Sequence, residues 1–126
     1  MKRNLLLLLL AAFVSGGPAF AHHNFAPGYV MDREVTIEGT LVQFAYKSPH
    51  SFLYVDISDQ RGNVRRWAVE WASGTILARE GVRVETLKPG DKIIVTGNPG
   101  RDPFEQKLRM IAINRPADRW KWAEHH

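Results

Sequence analysis

The sequence predicts an all-β fold. It is a small five-stranded antiparallel barrel with one short helix between strands 3 and 4, preceded by a cleavable signal helix. Three observations lead there. Five segments alternate apolar and polar residues with the period of two expected of half-buried strands. Links rich in Gly, Pro and Asp separate them. One stretch, "SGTILAREGV", breaks that period between the third and fourth segments.

The chain opens with Met1-Lys2-Arg3-Asn4, then "LLLLLLAAFV" without a charge, then Ser15-Gly16-Gly17-Pro18 and the small-x-small triplet Ala19-Phe20-Ala21. A basic end, an apolar run and a small-residue exit form the layout of a secretory signal peptide. The run is about half the roughly twenty residues that a membrane-spanning helix needs, so no stable span is expected. Residues 1–21 are therefore expected to be removed by signal peptidase during export, leaving a periplasmic protein. An N-terminal arm would follow over 22–34, the barrel over 35–114 and a polar tail over 115–126.

In the first strand, "EVTIEGTLVQF", Val35, Ile37, Gly39 and Leu41 oppose Thr36, Glu38 and Thr40. Gly39 predicts a bulge or a tight bend. "SFLYVDIS" sets Leu53, Val55 and Ile57 against Phe52, Tyr54 and Asp56. "VRRWAVEW" sets Trp67, Val69 and Trp71 against Arg66, Ala68 and Glu70. The short link "DQRGN" makes the last two a hairpin. Ser73 is placed to cap the helix and Gly81 to end it. After the turn "LKPGD" come "KIIVTG" and, beyond "NPGRDPFEQ", the fifth strand "KLRMIAINR". Three strands, a helix and two strands is the order of the OB-fold barrel.

The pieces "AHHNF", "EGTLVQF", "SPHSFLYVDI", "WAVEWAS", "LKPGDKIIVTGNP" and "RMIAIN", in this order, resemble a bacterial exported family, domain-of-unknown-function family 6152. The chain departs from the family pattern at Ser48, where Asn is expected ahead of Pro-His. The resemblance implies an OB-like fold and carries no activity.

Composition narrows the function. There is no Cys, which excludes disulfides and thiolate metal sites. Of 17 basic side chains, Lys2 and Arg3 lie in the leader, so 15 face 13 acidic ones in the remainder. That balance gives little drive toward nucleic acid, and none is expected as a partner. "GNPGRDP" lacks the Lys-Ser/Thr of a phosphate loop, and Asp56 and Glu70 are the only plausible carboxylate pair. The sequence predicts a binding protein and not an enzyme.

Cleavage after Ala21 would make His22 the first residue. Its free amine and imidazole would then form a chelate, with His23 offering a second arrangement through the ionised amide. Such nitrogen sets suit Cu(II), although another divalent transition metal is open. His50, held behind Pro49 at the start of strand 2, is the expected rigid donor. Glu70 is either a carboxylate ligand or an outer acceptor that orients an imidazole. The expected metal set is thus His22, His23, His50 and Glu70, with Phe25 able to pin the arm by burying its ring. The alternative is a module that binds a glycan, a peptide or an envelope protein through Phe52, Tyr54 and Arg66 on the outer strand face. Trp67 and Trp71 are expected in the core. Trp120, Trp122, His125 and His126 are left open between docking and fraying.

Overall fold

The computed structural model describes residues 26–125; the leader, His22, His23, Phe25 and His126 lie outside them. After a 3₁₀ turn at Ala26–Gly28 come β1 (Val35–Ala45), β2 (Ser51–Ser58), β3 (Val64–Trp71), α1 (Gly74–Arg79), β4 (Lys92–Pro99), β5 (Lys107–Arg115) and β6 (Trp120–Ala123). The sheet order is β3-β2-β1-β4-β5-β6. β3 also pairs with β5, in parallel, through Ala68–Lys107, Val69–Leu108 and Glu70–Arg109. That pairing closes the first five strands into a barrel with the helix between its third and fourth strands, the OB-fold topology.

Alternation builds the core. Ile37, Leu41, Leu53, Val55, Val69, Trp71, Ile93, Val95, Leu108, Met110 and Ile113 all turn inward and are buried. Gly39 is not a bulge: it pairs in register with Ile93 of β4, while the β1–β2 pairing begins one residue later, at Thr40 and Asp56. A Cβ there would stand 2.3 Å from the Asp56 carbonyl oxygen, so the glycine permits close strand approach. The irregularity falls later, between Leu41 and Gln43. It returns Phe44 to the inner side, where its ring stacks 5.9 Å from that of Trp71.

Ser73 caps α1 by accepting the Ile76 N–H at 3.3 Å, and Gly81 leaves the helix at a φ of 83°. Leu77, Val82 and Leu87 are buried beneath this segment. Tyr46 Oη ties it to the barrel, donating to the Gly74 carbonyl at 2.7 Å. The helix plugs the end of the barrel where β1 finishes.

The tail, left open by the sequence, docks as a sixth strand. β6 pairs with β5 through Ala112–Ala123, Ile113–Trp122, Asn114–Lys121 and Arg115–Trp120. Trp122 packs edge-on against Trp71 at 5.0 Å and donates its indole N–H to Glu80 at 2.7 Å. The sixth strand thus covers one flank of the barrel. The arm is docked as well. Val30 N–H donates to the Pro99 carbonyl at 2.9 Å, and Arg101 N–H to the Gly28 carbonyl at 3.1 Å.

Candidate binding site

The β2–β3 hairpin places Glu70 opposite Phe52 on the outer face of the barrel. Its register is fixed by the tight link, where Asp59 Oδ1 accepts the backbone N–H groups of Arg61 and Asn63 at 2.8 and 2.9 Å. One residue before β2 stands His50, after a cis Ser48–Pro49 peptide. The hairpin therefore sets the imidazole beside the carboxylate, with His50 Nδ1 3.4 Å from Glu70 Oε1. That is within reach of charge attraction and longer than an ordinary hydrogen bond. The sequence reading put these two residues in one site, and the structure brings them together.

A third member was not in the sequence reading. Tyr29, 5% exposed, donates its phenolic O–H to Glu70 Oε2. An isolated bridge to Gly100 holds its backbone, and Lys107 Nζ lies 5.3 Å above its ring. Burial, then the bond to Glu70, push the Tyr29 hydroxyl well above the ordinary tyrosine range. The phenol is thus a fixed donor that occupies one carboxylate oxygen and leaves the other facing His50. Nδ1 of His50 is enclosed while the side chain is 26% exposed, so the exposure falls on the rest of the ring.

The raised Tyr29 value gives a pH prediction. The folded state keeps this proton at a pH where the unfolded chain, titrating near 10, has released it. Stability from the group is complete below about pH 10 and falls as pH rises beyond it. Tyr29→Phe should therefore flatten the alkaline limb of stability against pH by about one proton, read from urea midpoints. An unchanged limb would mean the phenol titrates freely in the fold.

Arg109 and Glu124 adjoin this corner. Arg109 is 4% exposed although it stands on a strand face that the alternation would turn to solvent. Its Nη2 bonds Glu124 Oε1 at 2.6 Å and its Nη1 the Met110 carbonyl at 2.9 Å. Glu70, Trp71, Ala72, Arg109, Met110, Trp122 and Glu124 line a recess of about 60 Å³, room for about two water molecules.

On the outer face of β2, Phe52 and Tyr54 lie with centroids 6.4 Å apart and planes 17° from parallel. Both are half-buried. Lys47 Nζ sits 5.4 Å over the Phe52 ring. Arg66 is engaged elsewhere: its Nε and Nη2 bond both oxygens of Asp56, at 2.9 and 3.2 Å, which holds the Asp56 carboxyl below its usual range. The cation over the Phe52 ring is Lys47, from the loop ahead of β2, while Arg66 stays on the outer face of β3, paired with Asp56.

Among the described residues no three His, Cys, Asp or Glu side chains converge as a metal group. His50 and Glu70 are described; His22 and His23 lie outside. Among the described residues no helix is long and apolar enough to cross a membrane.

A family model matches residues 11–109. The chain belongs to that family, the Family of unknown function (DUF6152). In this DUF6152 chain the matched span contains His22, His23, His50 and Glu70 and ends at Arg109, short of β6 and Glu124. No curated protein matches the chain. Solved structures similar to it include the mitochondrial single-stranded DNA binding protein Rim1 of S. cerevisiae. That likeness has a TM-score of 0.49 at 14% identity and covers 66% of this chain and 93% of that one. The S. pombe Stn1-Ten1 complex gives 0.47 at 21% identity, covering 68% and 62%. The second single-stranded DNA binding protein of Mycobacterium smegmatis gives 0.44 at 15%, covering 74% and 96%.

Proposed function

We propose that this chain is an exported, periplasmic binding module, not an enzyme, which holds a divalent transition metal, Cu(II) foremost. The observation that carries the reading is the orientation of His50. Its Nδ1 is enclosed against Glu70, and Tyr29 holds Glu70 in place. A carboxylate facing Nδ1 at 3.4 Å favours the tautomer with the proton on that nitrogen once the contact tightens to a hydrogen bond, which leaves Nε2 as the donor, the usual arrangement behind a metal-binding imidazole. Glu70 then serves as the orienting acceptor, and the metal set becomes His50 Nε2 with the amine and imidazoles of His22 and His23.

Chain length supports this set. His23 precedes the anchored Tyr29 by six residues, and six residues of extended chain span at most about 20 Å. Nitrogen donors of this kind select Cu(II) over Zn(II) through preference for tetragonal geometry. The test is a calorimetric Cu(II) titration of protein beginning at His22. One equivalent should bind, and His50→Ala should weaken the affinity by more than about tenfold, about 1.4 kcal/mol. An unchanged isotherm would make His50 structural.

A second reading is a site for a glycan, a peptide or an envelope protein on the outer face of β2. It is favoured by the near-parallel, half-buried rings of Phe52 and Tyr54 with Lys47 above them.

A further inference from the structure

The two ends of the barrel are closed differently. Buried Leu77, Val82 and Leu87 fill the end where β1 finishes. At the end where β1 begins, the core is covered by the half-buried side chains of Val35, Ile57 and Trp67. There a groove of about 440 Å³ runs between β3, the N-terminal arm and the β4–β5 loop. Its volume lies within the roughly 300–1,000 Å³ of small-molecule sites.

The walls are fixed. Asn98, 3% exposed, donates its side-chain amide to the Arg33 carbonyl at 2.8 Å and to the Met31 carbonyl at 3.3 Å. Val30 is bonded to Pro99 and Arg101 to Gly28 through the backbone. The arm that bears Arg33 is thus clamped to the barrel before any ligand arrives, which limits the ordering cost of binding.

The lining has a definite chemistry. Trp67 lines it with an aromatic surface, and Val30, Val35 and Pro99 supply an apolar strip. Arg33, Arg101 and Lys107 bring positive charge; Asp102 and Glu105 bring acceptors. Lys107 and Glu105 offset each other at 3.1 Å. Asp102 Oδ1 accepts the Phe104 N–H at 2.9 Å. The Arg33 side chain makes no ion pair with another described residue. A purely anionic ligand would be repelled by the two carboxylates. A neutral polyol would leave Arg33 unused. A ligand that suits all three features has a ring for Trp67, hydroxyl donors for Asp102 and Glu105, and a negative group for Arg33.

We infer that this groove at the end of the barrel where β1 begins, between Trp67 and Arg33, binds a sugar ring that carries a carboxylate or phosphate. The groove adjoins the His50–Glu70 corner through Lys107, which also lies over the Tyr29 ring, but the inference does not rest on the metal reading or on that of the Phe52–Tyr54 face.

Titrating the ¹⁵N-labelled protein, with no metal added, reads it directly. The indole N–H signal of Trp67 is assigned by its loss in Trp67→Phe. The probes are trigalacturonate, glucosamine 6-phosphate and neutral maltotriose. At least one anionic sugar should move the Trp67 signal saturably, and maltotriose should bind at least about tenfold more weakly. Which anionic probe binds distinguishes a carboxylate from a phosphate source. Arg33→Gln, at an exposed position, should weaken binding at least about fivefold with an unchanged melting temperature. No shift with either anionic sugar up to about 10 mM would overturn the inference. So would equal binding of maltotriose, or an Arg33→Gln protein that binds as well as the parent.

Discussion

Glu124→Ala is expected to destabilise the fold by about 3 kcal/mol, near the lower end of the range for breaking a buried ion pair. The Arg109 side chain is 5% exposed, and Glu124 meets it with both oxygens, at 2.6 and 3.2 Å. Removing the carboxylate leaves a guanidinium in the barrel flank without the pair that stabilises it. The Glu124 side chain is 28% exposed, so water enters and keeps the effect from the upper end. The loss should extend to β6, because the Glu124 N–H closes that strand onto the Ile111 carbonyl at 2.8 Å. Urea denaturation gives the free energy, and amide exchange at residues 120–124 should accelerate. Replacing both partners, as Arg109→Met with Glu124→Leu, should recover most of the stability, because no buried charge is then left alone. A single-variant loss below about 1 kcal/mol would mean that the pair is as solvated as a surface one.

Gly97→Ala should cost about 3 kcal/mol or more, at the upper end of ordinary point-mutant effects. An added Cβ would stand 2.2 Å from the Arg109 carbonyl oxygen and 3.1 Å from Leu108 Cβ. The obstacle is backbone, so no rotamer change relieves it. The register between β4 and β5 shifts at this point, between Thr96 and Gly97. The glycine is what lets the strands come together there and bring Arg109 to the flank of the barrel. Gly28→Ala is the control: among the described residues nothing lies within 4 Å of its added Cβ, and its effect should stay within about 0.5 kcal/mol. Equal stabilities for the two variants would show that β4 and β5 can separate without penalty.

The barrel was legible because its strands are long and half-buried. Leu53, Val55 and Ile57 can alternate with Phe52, Tyr54 and Asp56 in only one register without exposing the apolar set. With the link after Ser58 so short, that register also sets His50 beside Glu70. Tyr29 was not legible. It follows Pro27-Gly28 in a segment without period, and its place depends on a bridge to Gly100, distant in sequence. Arg109 was hidden for another reason. Alternation marks it as solvent-facing, and its burial requires β6. That strand has only four residues, entered through Arg119 at a positive φ of 62°. The spacing of Trp120 and Trp122 was its one signal. Lys47 was missed because a loop, not a strand face, carries it over Phe52. Gly39 leaves a bulge and a tight bend equally open in the sequence, because sequence does not distinguish an inserted residue from a close strand approach.

The central claim is that Glu70 and Tyr29 hold His50 with Nδ1 inward and Nε2 ready for a metal. Ring ¹⁵N shifts of His50 test it most directly, measured on protein beginning at His22 before and after one equivalent of Zn(II), a diamagnetic stand-in for Cu(II). The account predicts a protonated Nδ1 in both states and a shift of Nε2 on addition of metal. A His50 ring whose nitrogens do not respond, or one that responds through Nδ1, would contradict it.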